Sequence, residues 1–154
     1  TLQTKDMADN VAFYEKVTVM IKATQEMNDQ LAGIETKLKN VRSAVNDMPA
    51  PAASWLEKAH SLQQEAIQLK TLIFGDAARA RREFETAPTF NDRIGGLAAT
   101  LWNSTAAIPG SAVSSLQIAE KQYKKYAPQV KALHQKVEAL ILDVEKAGGP
   151  FIGR

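Results

Sequence analysis

Apolar residues recur along the first third of the chain at alternating intervals of four and three. The positions are Phe13, Val17, Met20, Met27, Leu31, Ile34, Leu38, Val41 and Val45, with Thr24 the one polar residue in the series. A period of about 3.5 residues predicts a long helix that packs on partner helices with a slight left-handed supercoil. The predicted helix runs from about Thr4 to Asp47 and ends there because the following segment, 48–51, contains two prolines.

A second seam of the same kind predicts a second long helix. Its positions are Trp55, Ala59, Leu62, Ala66, Leu69 and Ile73. Ser54 is predicted as the N-cap, with Glu57 completing a capping box. The pattern slips at Gly75, but residues 77–85 are good helix formers, so we expect a kink or local loosening there rather than an end. Pro88 is expected to stop this helix.

A short third helix is predicted after that proline, capped by Asn91 or Asp92 and running to about Asn103. Gly95 and Gly96 lie inside it, and each destabilises a helix by about 1 kcal/mol relative to alanine. The alternative is that one of these glycines marks a close backbone approach to a neighbouring element.

The last helix repeats the signature of the first. Its seam consists of Leu116, Ala119, Tyr123, Tyr126, Val130, Leu133, Val137, Leu140 and Val144. A turn at 108–110 precedes Ser111, which is predicted as its N-cap. Pro128 lies inside the seam without disturbing its phase, which predicts a kink in one continuous helix. Gly148 and its neighbour end the helix, and the apolar side chains of the tail 151–154 are expected to dock on the bundle end.

These seams predict an all-α fold. We expect an elongated up-down-up bundle of three long helices, with the short fourth helix at one tip. A regular four-helix bundle is disfavoured because the short helix is only about 20 Å long at 1.5 Å per residue. At 154 residues the chain is expected to form a single domain over 1–154. It begins at Thr1 without an initiator Met, so it is either a processed product or a piece of a longer protein, and we favour a piece excised from the C-terminal end of a larger protein.

Composition narrows the classes of partner and chemistry. The 19 basic and 17 acidic residues nearly cancel, and neither sign forms a block, so no nucleic-acid partner is expected. No apolar run approaches the roughly 20 residues that span a bilayer, so no membrane insertion is expected. The absence of cysteine excludes disulfides, thiolate metal sites and cysteine nucleophiles.

No catalytic, cofactor-binding or metal-binding residue is predicted. A di-metal bundle needs two Glu-x-x-His pairs, and the chain has Glu57 with His60 but Lys131 three residues before His134. The serines Ser104, Ser111, Ser114 and Ser115 fall where caps and turns explain them, and no nucleophile elbow occurs. We therefore expect no enzyme activity in this chain and no cofactor.

Two further patterns have structural interpretations beside functional ones. Lysines interleave with tyrosines around position 124: the basic residues are Lys121, Lys124, Lys125 and Lys131. They would suit an acidic partner, but because they lie off the seam we favour a solvated flank around core tyrosines. Asn103, Ser104 and Thr105 match the glycosylation acceptor pattern, and a helix-ending turn explains them equally well.

The run from Ala87 to Ile94, the turn at 108–110 and the seam of the first helix together resemble a known family. They are similar to the C-terminal helical module of bacterial secreted proteins with a sortilin-like, BNR-repeat β-propeller, which are usually labelled glycosyl hydrolases. The resemblance implies that hydrolase activity belongs to an upstream propeller absent from this sequence, and that the protein is periplasmic or secreted. It assigns no catalytic residue to any position here.

The leading hypothesis is a non-catalytic accessory or interaction domain of a larger envelope or secreted protein, whose partner is a neighbouring domain of the same chain or another protein. The alternative is a helical ligand-sensing domain in which Gly75 and Pro128 are the moving parts. A continuous dry core favours the first hypothesis, and a defined pocket favours the second.

Overall fold

The computed structural model describes residues 4–82, 87–103, 107–150 and 152. Within these ranges the chain forms five α-helices and no strand, which confirms the all-α prediction. The helices are α1 (Thr4–Asn46), α2 (Ala53–Phe74), α3 (Ala77–Ala80), α4 (Phe90–Thr100) and α5 (Gly110–Lys146). A single 3₁₀ turn, Leu101–Asn103, follows α4 directly.

The chain forms two compact units. Unit 1 consists of Thr1–Glu26 and Thr71–Tyr126, and unit 2 consists of Met27–Lys70 and Ala127–Arg154. Each of the three long helices, α1, α2 and α5, is divided between the two units, with one segment in unit 1 and another in unit 2. A single domain over 1–154 stays a prediction.

In unit 2 the direction of α2 is opposite to that of α1. Lys70 Nζ lies 3.2 Å from Glu35 Oε1, and Arg42 Nη2 lies 3.2 Å from His60 Nδ1. As the residue number rises along α1 it falls along α2, so these two helices are antiparallel.

The direction of α5 in unit 2 is the same as that of α1. Lys37 donates to Glu138, and Met48 lies beside Gly149, so the offset in residue number is the same in both places. These two helices are therefore parallel. Together with the reversed α2, this confirms the up-down-up order of the three long helices within unit 2.

The predicted seams form the core of unit 2. Its buried side chains are Met27, Leu31, Ile34, Leu38, Val41, Ala44, Val45, Ala59, Leu62, Ala66, Leu69, Val130, Leu133, Val137, Leu140, Ile141, Val144 and Ile152. Ile152 is buried as expected for a docked tail, whereas Phe151 lies outside the described residues. Aliphatic side chains at heptad spacing thus account for the packing of this unit.

Unit 1 has its own core, built on α4. Phe90, Ile94 and Leu97 lie on one face of α4 and are buried. The Phe90 ring meets the Tyr126 ring edge to face at a centroid distance of 6.3 Å. Thr24, the polar interruption in the first seam, is also buried, and its hydroxyl donates to the Met20 carbonyl at 2.7 Å.

Two predicted N-caps are wrong by two residues. α2 begins at Ala53 and α5 begins at Gly110, so Ser54 and Ser111 are each the second residue of a helix. The cap positions are Ala52 and Pro109, whose carbonyls accept the first helical hydrogen bonds, from the N–H groups of Trp55 and Ala112, so both helices start without a side-chain cap. The capping box of Ser54 with Glu57 is therefore wrong as well.

The second helix ends at Phe74 rather than loosening at Gly75. Gly75 has a φ of +81°, a left-handed conformation that terminates α2. Asp76 then caps the new helix α3, because its Oδ1 accepts from the backbone N–H of Ala78 at 2.8 Å and of Arg79 at 3.3 Å. The predicted kink in a continuing helix is wrong, because this cap outweighs the helix propensity of the following residues.

Thr89, rather than Asn91 or Asp92, caps the short helix α4. Its hydroxyl accepts from the Asp92 N–H at 3.2 Å, and the Asp92 carboxylate accepts from the Thr89 N–H at 2.9 Å. Asp92 is thus the third helical residue of a capping box. The helix persists despite its glycines because this box closes its first turn.

Two remaining expectations concern the helix interiors. α5 is continuous through Pro128, which confirms the prediction of one helix across the proline. The alternative for Gly95 and Gly96 is wrong, because a Cβ added to either would meet no described atom within 4 Å. Their backbone therefore approaches no neighbouring element in the described structure.

Glycine substitutions are expected to act with opposite signs at these sites. Gly96→Ala should raise the free energy of unfolding by about 0.5 to 1 kcal/mol, because alanine is favoured inside a helix. Gly75→Ala should lower it by about 1 to 2 kcal/mol, because alanine is strained at positive φ. Urea denaturation of the two variants measures both effects. A destabilising Gly96→Ala would mean that the glycine packs against something after all.

Candidate functional site

Unit 1 has a groove of about 640 Å³ next to Gly75. It is lined by the end of α2, by α3, by the segment that leads into α4, and by α5. We call it the Gly75 groove. Its lining residues include Gly75, Asp76, Thr89, Asp92, Gln122 and Tyr126.

Two local turns bring the walls of the Gly75 groove together. The left-handed turn at Gly75 ends α2, and the capping box of Thr89 starts α4. The two turns nearly touch, because a Cβ placed on Gly75 would lie 3.2 Å from the Thr89 Cγ2. Glycine is therefore required at this position both for its φ and for space.

Gln122 provides the most unusual atom in the groove. Its Oε1 is buried and has no hydrogen-bond partner within the described part of the chain. Most buried polar atoms in native proteins have a hydrogen-bond partner, so an unpaired acceptor of this kind is uncommon. The hydrophobic pattern does not distinguish this position, because a glutamine off a seam looks the same in sequence whether it is buried or solvated.

Each of the two histidines lies beside a charged side chain. His60 Nδ1 contacts Arg42, whereas His134 Nε2 lies 3.9 Å from the Glu138 carboxylate, four residues along the same helix. Residues 4–82, 87–103, 107–150 and 152 contain no group of three or more side chains placed to hold a metal ion. Neither Glu57 nor His60 belongs to such a group within those ranges.

We expect metal chelation to leave the fold unaffected. The cores of both units are built from apolar side chains, which pack together without a metal ligand, so EDTA should not change the melting temperature followed by circular dichroism. A fall of several degrees with EDTA, restored by excess zinc, would contradict this expectation and require a metal site.

The lysine-rich segment of α5 has a solvated flank and a tyrosine that is largely buried. Lys121, Lys124 and Lys125 are exposed, whereas Tyr126 is buried and Tyr123 is half-buried. The Lys125 ammonium lies 5.8 Å from the centre of the Tyr126 ring, a distance typical of a cation–π contact. This arrangement agrees with the interpretation of the lysines as a flank.

The glycosylation pattern includes Ser104 and Thr105, which lie outside the described residues.

Trp102 is the most exposed of the large apolar side chains that the structure describes. Its indole is 89% exposed at the end of the turn after α4, whereas Trp55 is only half-exposed. Single exposed apolar residues are common, but tryptophan is strongly enriched at the centres of protein interfaces.

Comparison with known proteins adds no assignment. The chain matches no protein-family model, no curated protein and no solved structure. Among the described helices, none combines the length and apolar character needed to cross a membrane. The geometry of the two units is therefore the basis for inferring the function.

Proposed function

We propose that this chain is a non-catalytic helical accessory domain that acts by binding a protein partner or a neighbouring domain. The arrangement of charged side chains in unit 2 carries the proposal. In the described part of unit 2, ion pairs bridge the flanks of neighbouring helices. Such pairs orient the helices and favour one register, which suits a scaffold that presents its outer faces to a partner.

Each pair of helices in unit 2 has one of these bridges. Lys37 on α1 contacts Glu138 on α5, and Lys136 on α5 lies 3.2 Å from the Glu65 carboxylate on α2. The third bridge joins Glu35 on α1 to Lys70 on α2, as described above. Exposed or partly exposed ion pairs contribute little stability, about 0 to 1 kcal/mol each, but they favour one register over others.

The outer surfaces of the helices support a binding role. A stable protein interface buries about 1,200 to 2,000 Å² in total, and helices as long as α1 and α5 offer outer faces of that order. In unit 1, Trp102, Met7, Val11 and Val19 are among the exposed apolar side chains. Side chains of this kind supply the buried anchors of an interface when a partner covers them.

The resemblance of residues 87–94 to propeller-associated helical modules supports a wider proposal. On that basis the chain would be part of a larger bacterial envelope or secreted protein of the glycosyl hydrolase-labelled, BNR-repeat class. Any hydrolytic activity of such a protein would reside outside these 154 residues.

The purified chain is accordingly expected to hydrolyse no glycoside. The test incubates it with a panel of chromogenic glycosides beside a known glycosidase, and follows release of the chromophore. Turnover by the chain would contradict the proposal if changing one or two of its own carboxylates abolished it. Turnover that survives all such changes points to a contaminating enzyme and leaves the proposal standing.

The binding role needs a separate test. The open reading frame that contains this chain is expressed with Trp102→Ser and, as a control at an exposed polar position of the same unit, with Gln117→Ser. Chemical cross-linking with mass spectrometry then identifies the segments that contact residues 90–103. A cross-link pattern unchanged by Trp102→Ser would remove Trp102 from the proposed interface, and the absence of any partner segment would contradict the role.

A second candidate function is ligand sensing, and the Gly75 groove is the observation that favours it. Gly75 joins two helices through a left-handed turn in the wall of the groove, so a bound ligand would contact a residue able to change conformation. Sensing requires that ligand binding alters hydrogen exchange at the Gly75 amide. Binding without such a change would exclude sensing.

A further inference from the structure

We propose that the segment 77–82 is a proteolytic processing site, at which an arginine-specific endoprotease cuts the folded chain. Three of its residues are arginines, Arg79, Arg81 and Arg82. A helix must open locally before a protease can cut it, so the site of cutting in a folded protein is set by the cost of that opening. The inference concerns unit 1 alone and does not depend on the binding role proposed above.

The first observation is that this segment contributes nothing to a core. α3 has no buried residue, and all side chains of 77–82 are exposed. Its backbone is held by the Asp76 cap and by local hydrogen bonds. The Ala80 N–H donates to the Asp76 carbonyl at 2.9 Å, and the Arg82 N–H donates to the Arg79 carbonyl at 2.9 Å. A segment with exposed hydrogen bonds and no buried apolar side chain opens at a small fraction of the global free energy of unfolding.

The second observation is the contrast with the other arginines that the structure describes. Arg42 lies in α1 next to the buried Val41, and Arg93 lies in α4 next to the buried Ile94. Opening the chain at either position requires apolar side chains to leave a core, which costs far more than opening α3. A protease that requires arginine before the cut is therefore directed to 79–82.

The bond between Arg81 and Arg82 is the described bond best placed for cleavage, because Arg81 is the C-cap of α3 and a turn follows it. Hydrolysis adds one water molecule across this bond. The water oxygen bonds to the Arg81 carbonyl carbon, the C–N bond breaks, and the two water protons end on the Arg82 nitrogen. The products are a carboxylate at Arg81 and a new N-terminal ammonium group at Arg82. The endoprotease supplies the catalytic groups, and this chain supplies only the substrate.

The test treats the folded whole chain with clostripain, an arginine-specific endoprotease, and follows the products by mass spectrometry. We expect one early cut after an arginine of 79–82. The two fragments should stay together on size-exclusion chromatography, because the cut passes through none of the helices that have buried side chains. The urea-denatured chain is the control, and it should also be cut after Arg42 and Arg93. Replacing all three arginines of 79–82 by glutamine should abolish the early cut and leave the circular dichroism spectrum unchanged.

The Asp76 cap is expected to set the rate of this cut. Asp76→Ala removes the cap, and a lost cap favours opening by about two- to thirtyfold, so the cut should accelerate by that factor. Asp76→Asn is the matched variant, because asparagine removes the same charge and caps a helix as well as aspartate does. It should be cut at the rate of the unaltered chain. Leu133→Ala, a core change in unit 2, should alter the rate by less than about twofold if opening is local.

Five results would overturn the proposal. They are a first cut after Arg42 or Arg93; no cut in the folded chain under conditions that cut the denatured chain; further degradation of the cut chain as fast as the first cut; equal rates for Asp76→Ala and Asp76→Asn; and an acceleration by Leu133→Ala of about thirtyfold or more, which is expected if the cut requires global unfolding.

Discussion

Leu133→Ala is expected to lower the free energy of unfolding by about 2 to 5 kcal/mol, measured by urea denaturation. Leu133 lies in the seam of α5 in unit 2 and is 2% exposed. Truncation to alanine removes one methine and two methyl groups from a packed core and leaves a cavity that rigid helical neighbours fill only in part. The upper part of the range applies if the adjacent seam residues do not move.

The control for this change is Lys124→Ala on the same helix. Lys124 is exposed, and surface substitutions of this kind usually alter stability by no more than about 0.5 kcal/mol. Leucine and lysine have similar helix propensities, so the difference in stability between the two variants reports burial rather than backbone preference. Equal effects would mean that the assigned face of α5 is wrong.

The seams were predictable because burial in a helical bundle repeats with a fixed period. Once Val130 and Leu133 are placed in one seam, Val137 and Val144 follow, and all four are buried. The tail residue Ile152 was predictable for a related reason, since an apolar side chain just past a helix-ending glycine pair tends to fold back on the helix. Periodicity therefore predicted the core and the order of the long helices.

The ends of the helices were less predictable, because a cap depends on which polar side chain reaches a backbone N–H. Asp76 and Thr89 both cap helices, and the pattern had assigned neither of them that role. Propensity favoured helix after Gly75, yet one left-handed residue and one aspartate were enough to end α2. Local hydrogen bonds outweighed the average preference of the following residues.

The Gly75 groove was not predictable at all. Its walls come from three stretches of the chain that are separated in sequence, represented by Gly75, Thr89 and Gln122. Each stretch is ordinary by itself: a glycine turn, a capping box and a polar residue on an amphipathic helix. The orphaned acceptor exists only because packing buries one side of Gln122, and burial of a single atom leaves no trace in a hydrophobic pattern.

Phe90→Ala is expected to destabilise the chain by about 3 to 5 kcal/mol, the largest effect predicted here. Phe90 is fully buried at the first position of α4, where its ring meets Tyr126 of α5 edge to face. The substitution removes the ring from the core of unit 1 and also the aromatic contact, which contributes about 0.5 to 1.5 kcal/mol beyond burial.

Phe90→Leu is the matched variant, because leucine keeps much of the apolar volume and loses only the ring contact. We expect its loss of stability to be less than half of the loss caused by Phe90→Ala. Thermal melts followed by circular dichroism rank the three proteins. If Phe90→Leu is as unstable as Phe90→Ala, the ring contact dominates over burial. If neither variant is destabilised, Phe90 does not anchor α4 in the core of unit 1, and the groove that depends on the position of α4 has no structural basis.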